Sequence, residues 1–331
     1  MGRTMLDQIS KTTGTGAGAF FRAGARRWMR QGKDGGGAQS SPLRLPALLP
    51  SRRVVRDLDG LPPLLGRIGT LEVRLARTVQ DIRRAQRLRF KVFYEEMSAR
   101  PDARAMISRR DVDPFDRICD HLLVIDRAFR RTPRARPGSK VVGTYRLLRQ
   151  GPAERNGGFY SASEFDMRGL IAAHPGQQIL ELGRSCVLKP YRNKRTVELL
   201  WHGIWRYVRH HGVDLMIGCA SLEGTDPAEL APQLSFLHHH ARAPAEWQVS
   251  ALPARYVGMN RISAQAINAK SALASLPPLI KGYLRLGARF GEGAVVDRQF
   301  GTTDVLVVLR VAEINPRYVE FYGGSAERRA A

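Results

Sequence analysis

The sequence is poor in cysteine. Cys119, Cys186 and Cys219 are its only three, spread widely through 331 residues. That spacing supports neither a disulfide framework nor a paired CxxC metal site, and it fits reduced thiols in a cytosolic protein. Long apolar runs are also missing. No stretch approaches the roughly eighteen apolar residues that a membrane-spanning helix needs. The opening MGRTMLDQISKTTGTG holds no continuous apolar segment, so no secretory signal peptide is expected. GTGAG at 14–18 precedes no P-loop Lys-Ser/Thr, and there is no HExxH. The triplet His238-His239-His240 does not amount to a metal site, because consecutive helical side chains point about 100° apart and do not converge; no metal is expected. Acid is the scarcer charge: 30 Asp and Glu against 53 Lys and Arg leave a net charge of +23. Such a field attracts polyanions. Helix-turn-helix, zinc-finger and RNP signatures are absent and the basic residues form no single stripe, so nucleic acid is not the expected partner. An acidic protein and an anionic membrane surface remain.

What is present divides unevenly. Residues 1–65 are rich in Gly, Ser, Pro and Arg, and QGKDGGGAQSSP cannot build a core, so they are expected to form a flexible basic tail. Within that tail, AFFRAGARRWMR mixes Phe20, Phe21 and Trp28 with arginines. It reads either as a basic amphipathic helix on an anionic membrane or as a solvated arm. Residues 66–322 read as one domain, with a short tail at 323–331. LEVRLAR (71–77), HLLVI (121–125), KVVGTYRLLRQ (140–150), LELGRSCV (180–187), LMIGCASL (215–222) and TDVLVVLRV (303–311) read as strands. Helices are expected over 79–97, 161–171 and 196–212 and in parts of PAELAPQLSFLHHH; after a Pro-rich link, KGYLRLGARFG precedes the last strand. The order predicts an α/β fold with a central mixed sheet flanked by helices.

Four segments carry charges where apolar residues belong. Arg89 lies in the apolar arc of the 79–97 helix. The loop RDVDPFDRICD brings Asp111, Asp113, Asp116 and Asp120 up to a strand. Arg146 sits inside VGTYRLL, and Glu181 and Arg184 sit inside ELGRSCV. One such charge reads as a structural ion pair, but four segments together point to a charged site around a pocket. Strict strand alternation puts 181 and 184 on opposite faces, and a bulge at Gly183 would turn both toward one cleft. After this strand, Lys189, Arg192, Lys194 and Arg195 cluster at the start of a helix, a natural anion site. Cys186 is a rival nucleophile for an acyl-enzyme route.

The set Arg89–Phe93 (RxxVF), Asp113–Asp116 (DxxD), Gly143–Leu148 (GxxRLL) and Glu181–Val187 (ELxRxxV) resembles the acyl-homoserine lactone synthases, which have the GNAT fold. GRIGTLEVRLAR, ICDHLLVID, GGFYSASEF, YRNKRTVELLW, SFLHHH, LPPLIKGYLRLGA and GAVVD…TTDVL extend the likeness to a sister family, the L-ornithine N-acyltransferases of bacterial ornithine lipid synthesis. The resemblance covers about residues 66–322. It implies a GNAT-like sheet and transfer of a 3-hydroxyacyl chain from acyl carrier protein to the α-amine of L-ornithine. It implies Glu181 and Arg184 as catalytic residues and Arg89, Phe93, Asp113, Asp116 and Arg146 as substrate-binding. Val187, Lys189, Arg192, Lys194 and Arg195 would hold the carrier's phosphopantetheine. No resident cofactor is implied, the 4'-phosphopantetheine thioester being a substrate. The implied location is cytoplasmic, at the inner membrane face if the tail binds lipid. Another amine acceptor, as in lactone synthesis, stays open. One departure matters: the usual glycine-rich pyrophosphate loop is replaced by RNKRTV, without glycine, which favours a carrier protein over coenzyme A.

Overall fold

A computed structural model describes residues 58–97, 99–130 and 138–323, with side chains to residue 320. The expected tail through residue 57, including AFFRAGARRWMR, and residues 324–331 lie outside the described residues. Eight strands form one sheet: β1 (Leu64–Ile68), β2 (Leu71–Leu75), β3 (Asp120–Phe129), β4 (Gly138–Arg149), β5 (Ile179–Val187), β6 (Leu215–Glu223), β7 (Arg289–Asp297) and β8 (Thr302–Arg310). Their order is β1-β2-β3-β4-β5-β6-β8-β7. β5 and β6 run parallel, and every other neighbouring pair is antiparallel. The helices are α1 (Val79–Phe90), α2 (Ala103–Ser108), α3 (Gln150–Glu154), α4 (Met167–Ala173), α5 (Lys194–His210), α6 (Ala231–Ala241), α7 (Ala269–Ser275), α8 (Pro278–Leu286) and α9 (Pro316–Gly323). No helix among the described residues is long and apolar enough to cross a membrane.

Period-two patterning makes the sheet a wall between two apolar clusters. Val305, Val307 and Leu309 of β8 enter one cluster with Ala85 and Leu88 of α1 and Leu199, Ile204 and Val208 of α5. Leu306 and Val308 enter the other, with Met167 and Leu170 of α4 and Trp247. Thr78 starts α1 through a capping box with Asp81, and Asn193 caps α5 by accepting from the Thr196 N–H. The expected mixed α/β layout is therefore present.

Local expectations differ in three places. The core takes in residues before 66: Leu61 and Leu65 are buried, and β1 begins at Leu64. The expected helix over 161–171 is broken. A 3₁₀ turn covers Tyr160–Ser163, Phe165 bridges Ala251, and Asp166 caps α4 separately. The 79–97 helix turns π-helical over Lys91–Glu96. Within KGYLRLGARFG, α8 ends at Gly287, whose φ of 97° is left-handed, and Arg289 opens β7.

The feature that positions a site lies between β5 and β6. Their pairing covers only Ile179–Glu181 against Leu215–Ile217, after which the strands part. At the point of parting, a Cβ on Gly218 would lie 2.3 Å from the Leu182 carbonyl oxygen, so only glycine permits this approach.

Candidate active site

β5 also departs from regular pairing with β4. Arg146 pairs with Gly183 and Thr144 with Cys186, so β5 carries one more residue than β4 over that span. This is the expected bulge. Its left-handed residue is not Gly183 but Arg184, at φ 50°. A non-glycine residue there is strained and has to be held by its contacts. The Arg184 guanidinium meets Asp113 at 3.1 Å and Asp111 at 3.4 Å, and it lies over the Tyr160 and Phe300 rings. The surrounding negative groups raise its pKa although burial opposes this.

Behind it, the arginines and aspartates form a closed network. Arg89 is only 1% exposed. Its Nε donates to Asp111 at 2.8 Å, and Nη1 and Nη2 grip the two oxygens of Asp116 at 2.8 Å each. Nη2 also reaches the Asp111 carbonyl, and Gln86 donates to Asp116. Burial alone would push the Asp116 carboxyl up, but the Arg89 bonds and charge hold it well below the usual carboxylate range. Asp113 caps the 3₁₀ turn Pro114–Arg117 and accepts from Arg146. Arg89 and Asp116 are thus brought together with Asp113, Arg146 and Arg184. Of these five, Arg146 and Arg184 line the neighbouring cavity. Arg89, Asp113 and Asp116, expected to bind substrate, do not line it and stand behind the two arginines.

The cavity, about 290 Å³, opens where β5 and β6 separate. Phe93, Tyr160, Glu181, Arg184, Ser185, Cys219, Asp297, Phe300 and Asp304 contribute to its wall. Glu181 and Arg184 therefore do face one space. Glu181 is buried, and each of its oxygens accepts one backbone N–H, from Tyr160 at 2.7 Å and Ser161 at 2.8 Å. Tyr160 and Ser161 open a 3₁₀ turn, whose first N–H groups have no partner within the turn and point to Glu181. Burial raises the Glu181 pKa, while the N–H bonds and Arg146 restrain the rise.

Three lining or adjoining acids escaped the sequence reading: Glu164, Asp297 and Asp304. Asp304 carried the same signal as Glu181, a carboxylate inside an apolar strand, in TDVLVVLRV. Tyr160 and Phe300 were equally invisible, since an aromatic near a turn has no distinguishing pattern. Cys186 is buried, does not line the cavity, and has its thiol pushed up to about 12 by burial. His238, His239 and His240 diverge: His238 faces Glu292, His239 bonds the Ile262 carbonyl and His240 packs on Phe236.

Val187, Lys189, Arg192, Lys194 and Arg195 gather along the turn from β5 into α5. Arg192 donates to the Val187 carbonyl at 2.9 Å and pairs with Glu96, and Lys194 lies 3.5 Å from Glu198. Lys189, Arg192, Lys194 and Arg195 are not buried, which leaves a cationic rim at the end of β5.

A family model described as an acetyltransferase (GNAT) domain matches residues 88–202. The L-ornithine N(alpha)-acyltransferase of Agrobacterium fabrum is 55% identical over 84% of this chain and 93% of its own length. The enzyme of that name from Brucella abortus is 54% identical over 80% of this chain and 93% of its own. Among solved structures, the acyl-homoserine lactone synthase LasI aligns over 78% of this chain and 98% of its own, at 12% identity and a TM-score of 0.40. The eight-stranded mixed sheet is GNAT-like, the chain is an acyltransferase, and it belongs to the L-ornithine N(alpha)-acyltransferase family.

Proposed function

We propose that this enzyme moves a 3-hydroxyacyl chain from an acyl carrier protein thioester to the α-amine of L-ornithine, giving lyso-ornithine lipid as the first step of ornithine lipid formation. The observation that carries the reading is the cavity at the parting of β5 and β6, with Glu181 and Arg184 on one wall. The thioester enters between the strands, and the carrier's phosphate rests on the cationic turn of Lys189, Arg192, Lys194 and Arg195. That turn has no glycine to let a diphosphate reach the backbone, while a single phosphodiester needs only cations. Arg184 and Arg146 orient the acceptor's carboxylate, and Phe93 shields the reacting carbon from water.

The α-amine is mostly protonated at neutral pH. Glu181 takes its proton, directly or through one water, and the free amine attacks the thioester carbonyl. A C–N bond forms, the C–S bond breaks, and the departing thiolate takes up a proton. The two backbone N–H bonds fix the Glu181 carboxylate while leaving lone pairs on each oxygen. Direct attack is preferred to an acyl-enzyme because Cys186 stands outside the cavity with a high thiol pKa. The segment AFFRAGARRWMR would keep the enzyme near the anionic membrane that receives the product.

Lipids from a host expressing the chain test this directly. Mass spectrometry should reveal a lyso-ornithine lipid, and a different acylated amine would replace ornithine as the acceptor. Glu181→Gln keeps the shape and removes the base, so kcat should fall by about 10²-fold or more. Full activity in this variant, or an acyl group trapped on Cys186, would remove Glu181 from the mechanism.

A further inference from the structure

The cavity has walls of opposite sign. Arg146 and Arg184 provide the cationic one, and Asp297 and Asp304 contribute acid. Single carboxylate oxygens of Glu164, Asp297 and Asp304 all lie within 4.8 Å of one another. The two charged groups are built differently. Each arginine of the first is met by aspartate. Asp304, only 7% exposed, lines the cavity with no ion-pair partner among the described residues; a Thr302 hydroxyl at 2.9 Å donates to one of its oxygens. Asp297 takes the Gln299 and Phe300 N–H groups and likewise meets no cation among the described residues. Glu164 has Arg255 at 3.3 Å and the Cys219 thiol. In a chain with 53 Lys and Arg for 30 acids, a buried carboxylate without an ion-pair partner is conspicuous; the cation acting on Asp304 is the more distant Arg184. Leaving it unpaired costs stability unless something else supplies the charge.

We propose that Asp297 and Asp304, backed by Glu164, bind the side-chain ammonium of a diamino-acid acceptor. This rests on the ornithine reading above and adds how the second amine is recognised. An ammonium held among carboxylates stays protonated and cannot attack a thioester. The α-amine, left near Glu181, is the one that loses its proton, so the same contact that selects a diamino acid also selects which nitrogen is acylated. The groups facing Glu164 are Asp304 from β8, Asp297 from β7, Cys219 from β6 and Arg255 from its turn. Burial and then the Asp304 charge push Glu164 up to about 7. Acceptor binding therefore strengthens as pH rises through that value, because an ammonium favours the ionised carboxylate.

The test compares L-ornithine with norvaline, which has the same carbon skeleton without the terminal amine, using one acyl carrier thioester as donor. The wild-type enzyme should favour ornithine in kcat/KM. Asp304→Asn and Asp297→Asn should each shrink that preference by about 10- to 100-fold, mainly through the ornithine KM, as expected for losing a charged hydrogen bond. Asp304→Glu, which keeps the charge, should retain part of the preference and so distinguish recognition from damage to the fold. A wild-type enzyme that acylates norvaline as well as ornithine overturns the assignment while leaving acyl transfer intact. Variants that lower both substrates in equal proportion overturn it too. So does calorimetric binding of Mg²⁺ or Ca²⁺ that Asp304→Asn abolishes, with activity lost to chelator. If neither amino acid is acylated and another amine is, the ornithine reading itself fails and this inference falls with it.

Discussion

The two charged groups at the cavity are near neighbours with opposite construction. Around Arg89, Arg146 and Arg184, each guanidinium is answered by Asp111, Asp113 or Asp116, and Asp116 is held in its charged form. Around Glu164, Asp297 and Asp304, acid faces acid, and the pKa values of Glu164 and Asp304 rise. The first group has its charges matched within the chain, so it holds its shape without a ligand while Arg146 and Arg184 still face the cavity. In the second, Glu164 meets Arg255 at 3.3 Å, but Asp297 and Asp304 have no ion-pair partner among the described residues and are completed by a cation from outside. Burial is similar in both, so what distinguishes them is whether each charge already has its counter-charge in the chain.

The comparison can be broken most severely at Arg89. Arg89→Met leaves Asp111 and Asp116 buried with a partner missing, and stability should fall by about 3–5 kcal/mol in urea unfolding. A loss below about 1 kcal/mol would mean that the network is not framework. On the acid side the effect is smaller and depends on pH. The ordinary pKa of Glu164 is 4.5 and its folded value is about 7. A folded pKa above the unfolded one means that the fold favours the protonated form. The stabilising contribution is thus fully present below about pH 4.5 and is lost as pH rises through about 7. Glu164→Gln should flatten that decline and raise Tm relative to wild type above pH 7; an unchanged pH profile would separate Glu164 from the acid group.

Exposed cations sharpen the contrast further. Arg192 and Arg195 stand on the rim, so changing both to Ala should raise KM for acyl carrier protein only several-fold with little change in kcat, and the effect should shrink with salt. Duplex DNA binding as tightly as the carrier protein at physiological salt would contradict the proposed partner. The smallest change is expected at Cys186. It is a buried small apolar residue away from the cavity, and Cys186→Ser should keep most activity in a steady-state assay.

Much of the fold was legible because period-two and period-3.6 patterns report burial directly. β2 to β6, β8, α1 and α5 were all visible in that way. β1 was missed because LLGRI is short and follows a Gly- and Pro-rich stretch. β7 was missed because its glycines interrupt the alternation. The helix across 161–171 was misplaced because its Ser–Glu capping pattern is not used as a cap: the 3₁₀ turn there starts without a side-chain cap, and Glu164 turns to Arg255 and the Cys219 thiol. Phe165 finds a better place in a bridge to Ala251, and tertiary packing overrides the propensity.

By itself, the sequence determined which charges sit in apolar elements: Arg89, Arg146, Glu181, Arg184 and also Asp304. A charge that interrupts a hydrophobic period is a local fact and needs no coordinates. Only the tertiary structure decided which of them meet, and in what state. The left-handed turn at Arg184 and the parting of β5 from β6 bring Glu181 and Arg184 to one cavity. The close of β7 carries Asp297 to Glu164, more than a hundred residues away in the chain, and leaves three acids together with too few cations. Partner assignment is non-local. The free energy of a buried charge depends on what surrounds it, and those surroundings come from strands that are neighbours only after folding.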